Sequence, residues 1–348
     1  MPFGKKVIGA HAPRIDALKE DDFWWWYRQS VVKSEMIDHG PGIPSFFVLR
    51  DRLVQETHTA HLTKKGTDDA IPQALDLYKE VYEDLLAVPV VKGQKSSLAN
   101  REASLVLIGA YVNETVILLC VHILEQCIEG AICRGLGQCC STAHGIKVPD
   151  PSILSIPSSE GQQFFHVWQN SWHFSSRASG IMMAIHGDNE GLVLPPNLAE
   201  YQAILILHGS SKRKQEYQTI VNEYVSIKSK LAALHWRTEV DLRDGYSAGW
   251  KLHEWIIRGA PLCIILGIKE LSGQHATVYR RDIPKESRKI NIPLTEIPAT
   301  VLKLLEDLQE RLLQKARVAF SSRQREVTDW DEFTYHIRGR KEVGNVGI

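Results

Sequence analysis

From the paired prolines Pro195–Pro196 onward the chain alternates two hydrophobic periods, and that alternation constrains its fold more than any other feature. Ala203 to Leu207 is an unbroken apolar run of strand length. Ile220, Tyr224, Ile227, Leu231 and Leu234 follow at spacings of 4, 3, 4 and 3, which line one face of a helix. Thr238 to Leu242 reads as a second strand. A turn at Asp244-Gly245 leads to a helix from Ala248 to Arg258, ended by Gly259 with Pro261 close behind. Cys263 to Leu266 and Thr277 to Tyr279 are further strands, and Ile297, Val301, Leu304, Leu308 and Leu312 stripe a last long helix. Strands and helices taken in turn over roughly 120 residues describe a separate α/β domain.

The part before the prolines is patterned differently. Asp69 followed by Pro72 predicts a helix start, with the proline in the first turn where its missing N–H costs nothing. Leu75, Tyr78, Tyr82, Leu85 and Leu86 continue at helical spacing until Pro89, and Val90 and Val91 suit a buried strand after it. Ala103 to Ile128 is apolar and β-branched apart from Asn113 and Glu114, and reads as strands. The tail from Ser321 is charged, with Trp330 and Phe333 placed to dock it onto the body.

Composition narrows the partners. The 348 residues carry 41 basic and 41 acidic side chains, so no chain-wide field draws in nucleic acid and any such contact must come from a patch. Lys212, Arg213 and Lys214 supply one basic cluster. Six cysteines without a CxxC pair read as free thiols in a reducing compartment. Cys139, Cys140 and His144 lack zinc-ribbon spacing, so no metal is expected. MPFGKKVIG has neither the apolar core of a signal peptide nor an arginine-rich amphipathic pattern, and the greasiest run, Thr115 to Leu124, falls short of the ~20 residues that span a bilayer. A cytoplasmic protein without membrane contact is expected.

The stretch Phe165 to Pro196, FHVWQNSWHFSSRASGIMMAIHGDNEGLVLPP, holds the chemistry. Arg177 opens an apolar helix, and a guanidinium cannot be neutralised, so something anionic must meet it. A planar fork of donors suits phosphate oxygens, and a nucleoside triphosphate is one candidate. Spacing alone leaves open a salt bridge to a structural carboxylate.

Four blocks carry a family resemblance. The Phe165–Pro196 stretch is similar to motif 3 of prolyl-tRNA synthetase, a class II aminoacyl-tRNA synthetase of eukaryotic and archaeal type. LVQETHTAH, Leu53 to His61, resembles the end of its motif 2, and ALDLYKEVYEDLLAVPVVKG resembles the helix that follows. DFWWWYRQSVVKSEMID, Asp22 to Asp38, looks like the helix that leads into the catalytic domain. DLRDGYSAGWKLHEWIIRGAP resembles the anticodon-binding domain. The fold implied is α/β with an α+β catalytic remnant: an incomplete antiparallel class II sheet, then a mixed-sheet α/β domain. The implied layout is a leading segment over 1–45, a partial catalytic domain over 46–196, an anticodon-binding domain over 197–320 and a tail over 321–348.

The resemblance implies ATP-dependent activation of proline and its transfer to proline tRNA, with Mg2+ accompanying ATP and no zinc. Such catalysis rests on positioning and on cations at the phosphates. Carried over residue by residue, Arg50, Ser175 and Arg177 meet ATP, and Glu56 and His58 line the proline pocket. Without the family, Glu56 and His58 read as a solvated loop pair. Asp241, Arg243, Trp250 and Lys251 face the anticodon, where unpaired bases are read by stacking and edge hydrogen bonds. Taken singly, each reads equally as a surface charge or a packing tryptophan.

Departures from the family matter as much. Between Gly40 and Phe47 relatives carry roughly a hundred further residues, a small domain's worth. They include motif 1, which holds the proline amine, and a phosphate arginine; its absence puts the homodimer of relatives in doubt. At Ile128 to Gln138, Glu129, Ile132 and Arg134 replace a glutamine, a threonine and a histidine of the site. An acid facing polyphosphate is repulsive, and losing one transition-state donor costs about two to three powers of ten in rate. An impaired ligase is expected, or alternatively an inactive tRNA-binding or partner-binding relative, or a non-functional truncated product.

Overall fold

The structure is a computed structural model that describes residues 23–33, 51–94, 113–121, 126–149, 164–209, 214–322 and 327–340. The chain divides into two compact units, one formed by Met1–Val81 with Val90–Ile181, the other by Tyr82–Pro89 with Met182–Ile348.

The first unit is built on six antiparallel strands: β1 (Phe23–Lys33), β2 (Asp51–His61), β3 (Val91–Gln94), β4 (Asn113–Val121), β5 (Gln126–Gly137) and β8 (Trp168–Ser175). They lie in the order β1-β2-β8-β5-β4-β3. A short hairpin of β6 (Lys147–Pro149) and β7 (Phe164–His166) stands apart from that sheet. Helix α1 (Lys64–Glu80) packs Ala74, Leu75 and Tyr78 against Ala131, Cys133, Trp172 and Phe174 on one face of the sheet. Tyr78 stacks on Phe174 at 5.7 Å between ring centroids. A five-residue helix, α2 (Cys139–Ala143), follows β5.

Three local expectations are corrected here. The leading segment expected as a helix is strand β1, paired antiparallel with β2 from Phe23–His61 to Lys33–Asp51. Its aromatic and β-branched residues suit a pleated strand better than a helix. Helix α1 begins five residues before Asp69, because Thr63 caps it by accepting from Gly66 N at 3.1 Å and Lys64 pairs with Asp68 one turn on. Pro72 therefore sits inside the helix, and the turn Val81–Leu85 that follows is π-helical. Val91 belongs to an end strand and is 39% exposed, so it is not the buried strand expected. The joining turn at Gly40–Phe47 lies outside the described residues, as do 103–112 and 122–125 of the apolar run.

The second unit holds a five-stranded mixed sheet in the order β10-β9-β11-β12-β13. Its strands are β9 (Ala203–His208), β10 (Thr238–Asp241), β11 (Leu262–Gly267), β12 (His275–Arg280) and β13 (Lys289–Pro293). β9 runs parallel to β10 and β11, while β12 and β13 are antiparallel. Alternation along β9 sends Leu205 and Leu207 into a core with Ile220, Tyr224, Ile227 and Leu231 of α4 (Lys214–Ala233). Ile204 and Ile206 point the other way, to Leu252 and Trp255 of α5 (Ala248–Ile257). Both faces are covered, so β9 is apolar from Ala203 to Leu207 rather than alternating.

α3 (Arg177–His186) leaves β8, a five-residue turn α6 (Ile268–Ser272) follows β11, and α7 (Ile297–Ser321) buries Ile297, Val301, Leu305, Leu308 and Leu312. Leu234, expected in the α4 stripe, lies past the helix end and is 48% exposed. Trp330 of α8 (Trp330–Arg340) is 72% exposed and stacks on Phe333, which is no docking of the tail onto a core. Nothing in the described residues forms a helix long and apolar enough to cross a membrane.

Candidate functional site

Pleating divides the antiparallel sheet into an apolar face under α1 and a polar face on the other side. Along β2 the side chains of Val54, Glu56 and His58 share the second face, since residues two apart point the same way. Opposite them on β8 stand Ser175, His173 and Ser171, and beyond those on β5 stand Ile132 and Arg134. Directly opposed residues lie on one face. Glu56, His58, Ser171, His173, Arg134 and Ser175 therefore share one largely polar face, with Val54 and Ile132 among them. Glu56 Oε1 lies 3.3 Å from His58 Nε2, with both side chains about one-fifth exposed (20% and 22%). The pair is held on a central strand, which overturns its reading as a solvated loop pair.

Ser175 ends β8, and its Oγ accepts from the Arg177 amide at 3.4 Å. The Ser176 amide donates to Leu53 O at 2.9 Å, tying the strand end to β2 just before α3 starts. Arg177 is the first residue of that ten-residue helix and is half-buried, so a fixed cation stands beside the positive end of the helix dipole. This corner can receive an anion. Arg50 and the side chain of Glu129 lie outside the described residues.

Sequence reasoning missed His173, Ser171 and Gln169. Their signal was present: WQNSWHFS alternates polar residues at 169, 171, 173 and 175 with bulky ones at 168, 172 and 174. Gln169 is 3% exposed, and its Oε1 is buried without a protein partner.

A second cluster lies past the carboxyl end of β10. Asp241 takes Arg243 in a fork, Nε to Oδ1 at 2.9 Å and Nη2 to Oδ2 at 2.6 Å. Trp255 Nε1 donates to Asp241 Oδ2 at 2.9 Å, and Lys251 Nζ donates to Asp241 O at 3.2 Å. Arg243 also reaches Glu254 at 2.7 Å. Burial pushes the Asp241 carboxyl up, but the bonds from Arg243 and Trp255 outweigh it and hold it at about 2. Burial depresses the Lys251 ammonium.

The four residues expected to face RNA thus separate into two pairs. Asp241 and Lys251 are each 2% exposed and act from behind: Asp241 holds Arg243, and Lys251 bonds the Asp241 carbonyl. Arg243 and Trp250 stand at the surface, 39% and 45% exposed. Tyr246, which the sequence reading passed over, joins them: it stacks on Trp250 at 4.2 Å and 21°. Arg243 Cζ lies 5.7 Å from the Tyr246 centroid and 5.4 Å from that of Trp250. Ser247 caps α5 between the two rings by accepting from Trp250 N at 3.2 Å. Lys212 and Arg213 fall outside the described residues.

Residues 203–304 match the anticodon binding domain family. A bifunctional glutamate/proline--tRNA ligase of Drosophila melanogaster is 36% identical over 290 residues, 83% of this chain and 16% of the relative. The cytoplasmic proline--tRNA ligase of Arabidopsis thaliana is 33% identical over 316 residues, 90% of this chain and 54% of the relative. The proline--tRNA ligase of Alkaliphilus oremlandii is 33% identical over 280 residues, 80% of this chain and 53% of the relative. The chain spans about half the length of these relatives or less. With residues 203–304 matching the anticodon binding domain family and this likeness over most of its length, the chain is a relative of prolyl-tRNA synthetase.

Proposed function

We propose that this chain binds proline tRNA through its α/β unit and keeps part of an ATP and proline site on its antiparallel sheet, with ligation impaired. The reading places it in the cytoplasm, in translation. The observation that carries it is the polar sheet face: Glu56, His58 and Ser175 share that face, and Arg177 opens the helix that leaves it. Arg177, at the positive end of α3, suits the phosphates of ATP, with Mg2+ as their counter-ion. Glu56 offers a carboxylate for an ammonium and His58 orients it. Arg50 belongs to the same proposal as a further ATP contact.

Impairment follows from what stands elsewhere on that face. Ile132, 5% exposed and opposite His173, donates no hydrogen bond. The family's amine-gripping carboxylate has no counterpart in this sequence, and losses of this kind cost about two to three powers of ten each. A homodimer like the family's would have to form without motif 1.

Two assays test the reading on the full chain. Proline tRNA is expected to shift in a native gel, while proline-dependent pyrophosphate exchange runs at least about two powers of ten below an intact ligase. Exchange at the full rate would remove the impairment clause. Failure to shift the tRNA would remove the binding clause.

A further inference from the structure

Helix α8 presents two large rings at the surface. Trp330 is 72% and Phe333 39% exposed, and they stack on each other at 5.3 Å between centroids. We propose that α8 pairs antiparallel with α8 of a second copy of this chain, covering the Trp330–Phe333 stripe and setting its register through two pairs of opposite charges. This goes beyond the ligase reading and does not rest on it.

One exposed tryptophan on a surface is ordinary. The order of residues around this one is not. Along WDEFTYHIRGR, positions 330, 333, 334 and 337 fall within about 100° of one another, the width of a helix face that packs on a neighbour. Asp331 and Arg338 stand about two turns apart on one flank of that stripe, and Asp329 and Arg340 about three turns apart on the other. In each pair the acid comes first. Both pairs are centred on the same point, between Thr334 and Tyr335. A two-fold axis through that point turns the helix onto an antiparallel copy of itself. It sets Asp331 beside the partner's Arg338 and Asp329 beside the partner's Arg340, and an isologous contact repeats each of these. A parallel copy would instead put the acidic first turns side by side, and the arginine turns likewise, which is repulsive. Helix dipoles favour the same choice, since each positive N-terminus then lies by a negative C-terminus. The surface is also formed in advance. Asp329 accepts from the Glu332 amide at 3.2 Å through its carboxylate and from the Phe333 amide at 3.0 Å through its carbonyl, and the two rings are already stacked. Little ordering is left to be done on association. An eleven-residue helix is about 16 Å long, so the contact falls below the ~1,200 Å² of stable interfaces. The dimer is therefore weak, and it loosens as salt rises.

The test is sedimentation of the full chain from about 5 μM to about 1 mM, at about 50 and about 200 mM salt. The wild type is expected to show a reversible monomer–dimer equilibrium with less dimer at the higher salt. Trp330→Ala, verified as folded by thermal melting, should weaken it at least about tenfold, and Trp330→Phe by less. Asp331→Arg and Arg338→Asp each place like charges along one flank and should weaken self-association when studied alone. An equimolar mixture of the two should dimerise about as well as the wild type, because each variant then meets its opposite. Recovery on mixing is a result that damage to one helix would not give. A wild-type chain that stays monomeric at every concentration overturns the pairing and leaves the stripe to a different partner. A dimer indifferent to Trp330→Ala and to both charge reversals overturns it too, since that dimer must form elsewhere on the chain. Single reversals that remain apart when mixed would sink the antiparallel register.

Discussion

Tyr224 shows how one polar atom can join a helix to two strands. Its ring is 1% exposed in the α4 stripe, and its hydroxyl donates to Ile206 O at 2.5 Å and accepts from Leu266 N at 2.7 Å. Burial raises its pKa far above the ordinary value, so it stays a phenol and keeps the proton it donates. Tyr224→Phe leaves the ring packed and strips both strands of a partner, so the second unit should lose about 1–3 kcal/mol in a urea melt. An unmoved midpoint would mean that the strands satisfy each other without it. The sequence marked Tyr224 as apolar stripe and said nothing of its hydroxyl, because the carbonyl it meets lies on another strand. The site residues divide the same way. Glu56, His58, Ser175 and Arg177 were singled out by family resemblance, while His173 and Ser171 needed the strand alternation of β8 to be noticed. Arg243 and Trp250 were legible. Tyr246 was not, since its role depends on the close stacking of two rings around a helix cap.

At the scale of elements, the strands and helices beyond Pro196 were legible almost whole, because buried parallel strands and striped helices carry strong, distinct periods. β1 was not. A resemblance outweighed its aromatic and β-branched residues, which pair over eleven positions with β2. The start of α1 was missed because Pro72 is a louder signal than the Thr63 cap that actually begins the helix. The end of α3 shows another contact that pattern alone does not reveal. His186 is 3% exposed, and its Nε2 meets Leu86 O at 3.0 Å; since a carbonyl only accepts, that nitrogen carries the proton. Burial depresses the imidazole to about 4, against the bond to Leu86, with Lys315 adding to the depression. The folded state thus holds a neutral histidine where the unfolded chain takes up a proton near 6.5. Its contribution is complete above that pH, falls away between about 6.5 and 4, and is gone below, a loss on the order of 3 kcal/mol. His186→Gln should flatten the pH dependence of unfolding in that window. An equally steep profile in the variant would assign the slope to other groups.

At the scale of the whole molecule, the two units differ in how far apart their paired strands lie along the chain. In the second unit Ala203 pairs with Thr238, and the intervening residues are largely the helix α4 that packs on both strands. In the first, Val54 pairs with Ser175, and β8, the last of the six strands in sequence, lies between β2 and β5. That sheet cannot be completed until its final strand is inserted at the centre. Closing so long a loop costs entropy before any contact compensates it, which slows folding. Refolding of the full chain should therefore protect its units in order. In pulse-labelled hydrogen exchange, the amides of Ala203–Leu207 and Leu262–Leu266 should become protected well before those of Thr57–Ala60 and Trp172–Ser175. Protection of β2 and β8 first, or of all four segments together, would show that the distant strand pairing forms without waiting for closure. The same order bears on function. On the proposed function, an α/β unit that folds early presents its RNA-facing surface even while the sheet carrying Glu56, His58 and Ser175 is incomplete, so RNA binding should recover before any nucleotide-dependent activity during refolding. Recovery of pyrophosphate exchange ahead of tRNA binding would count against that sequence of events.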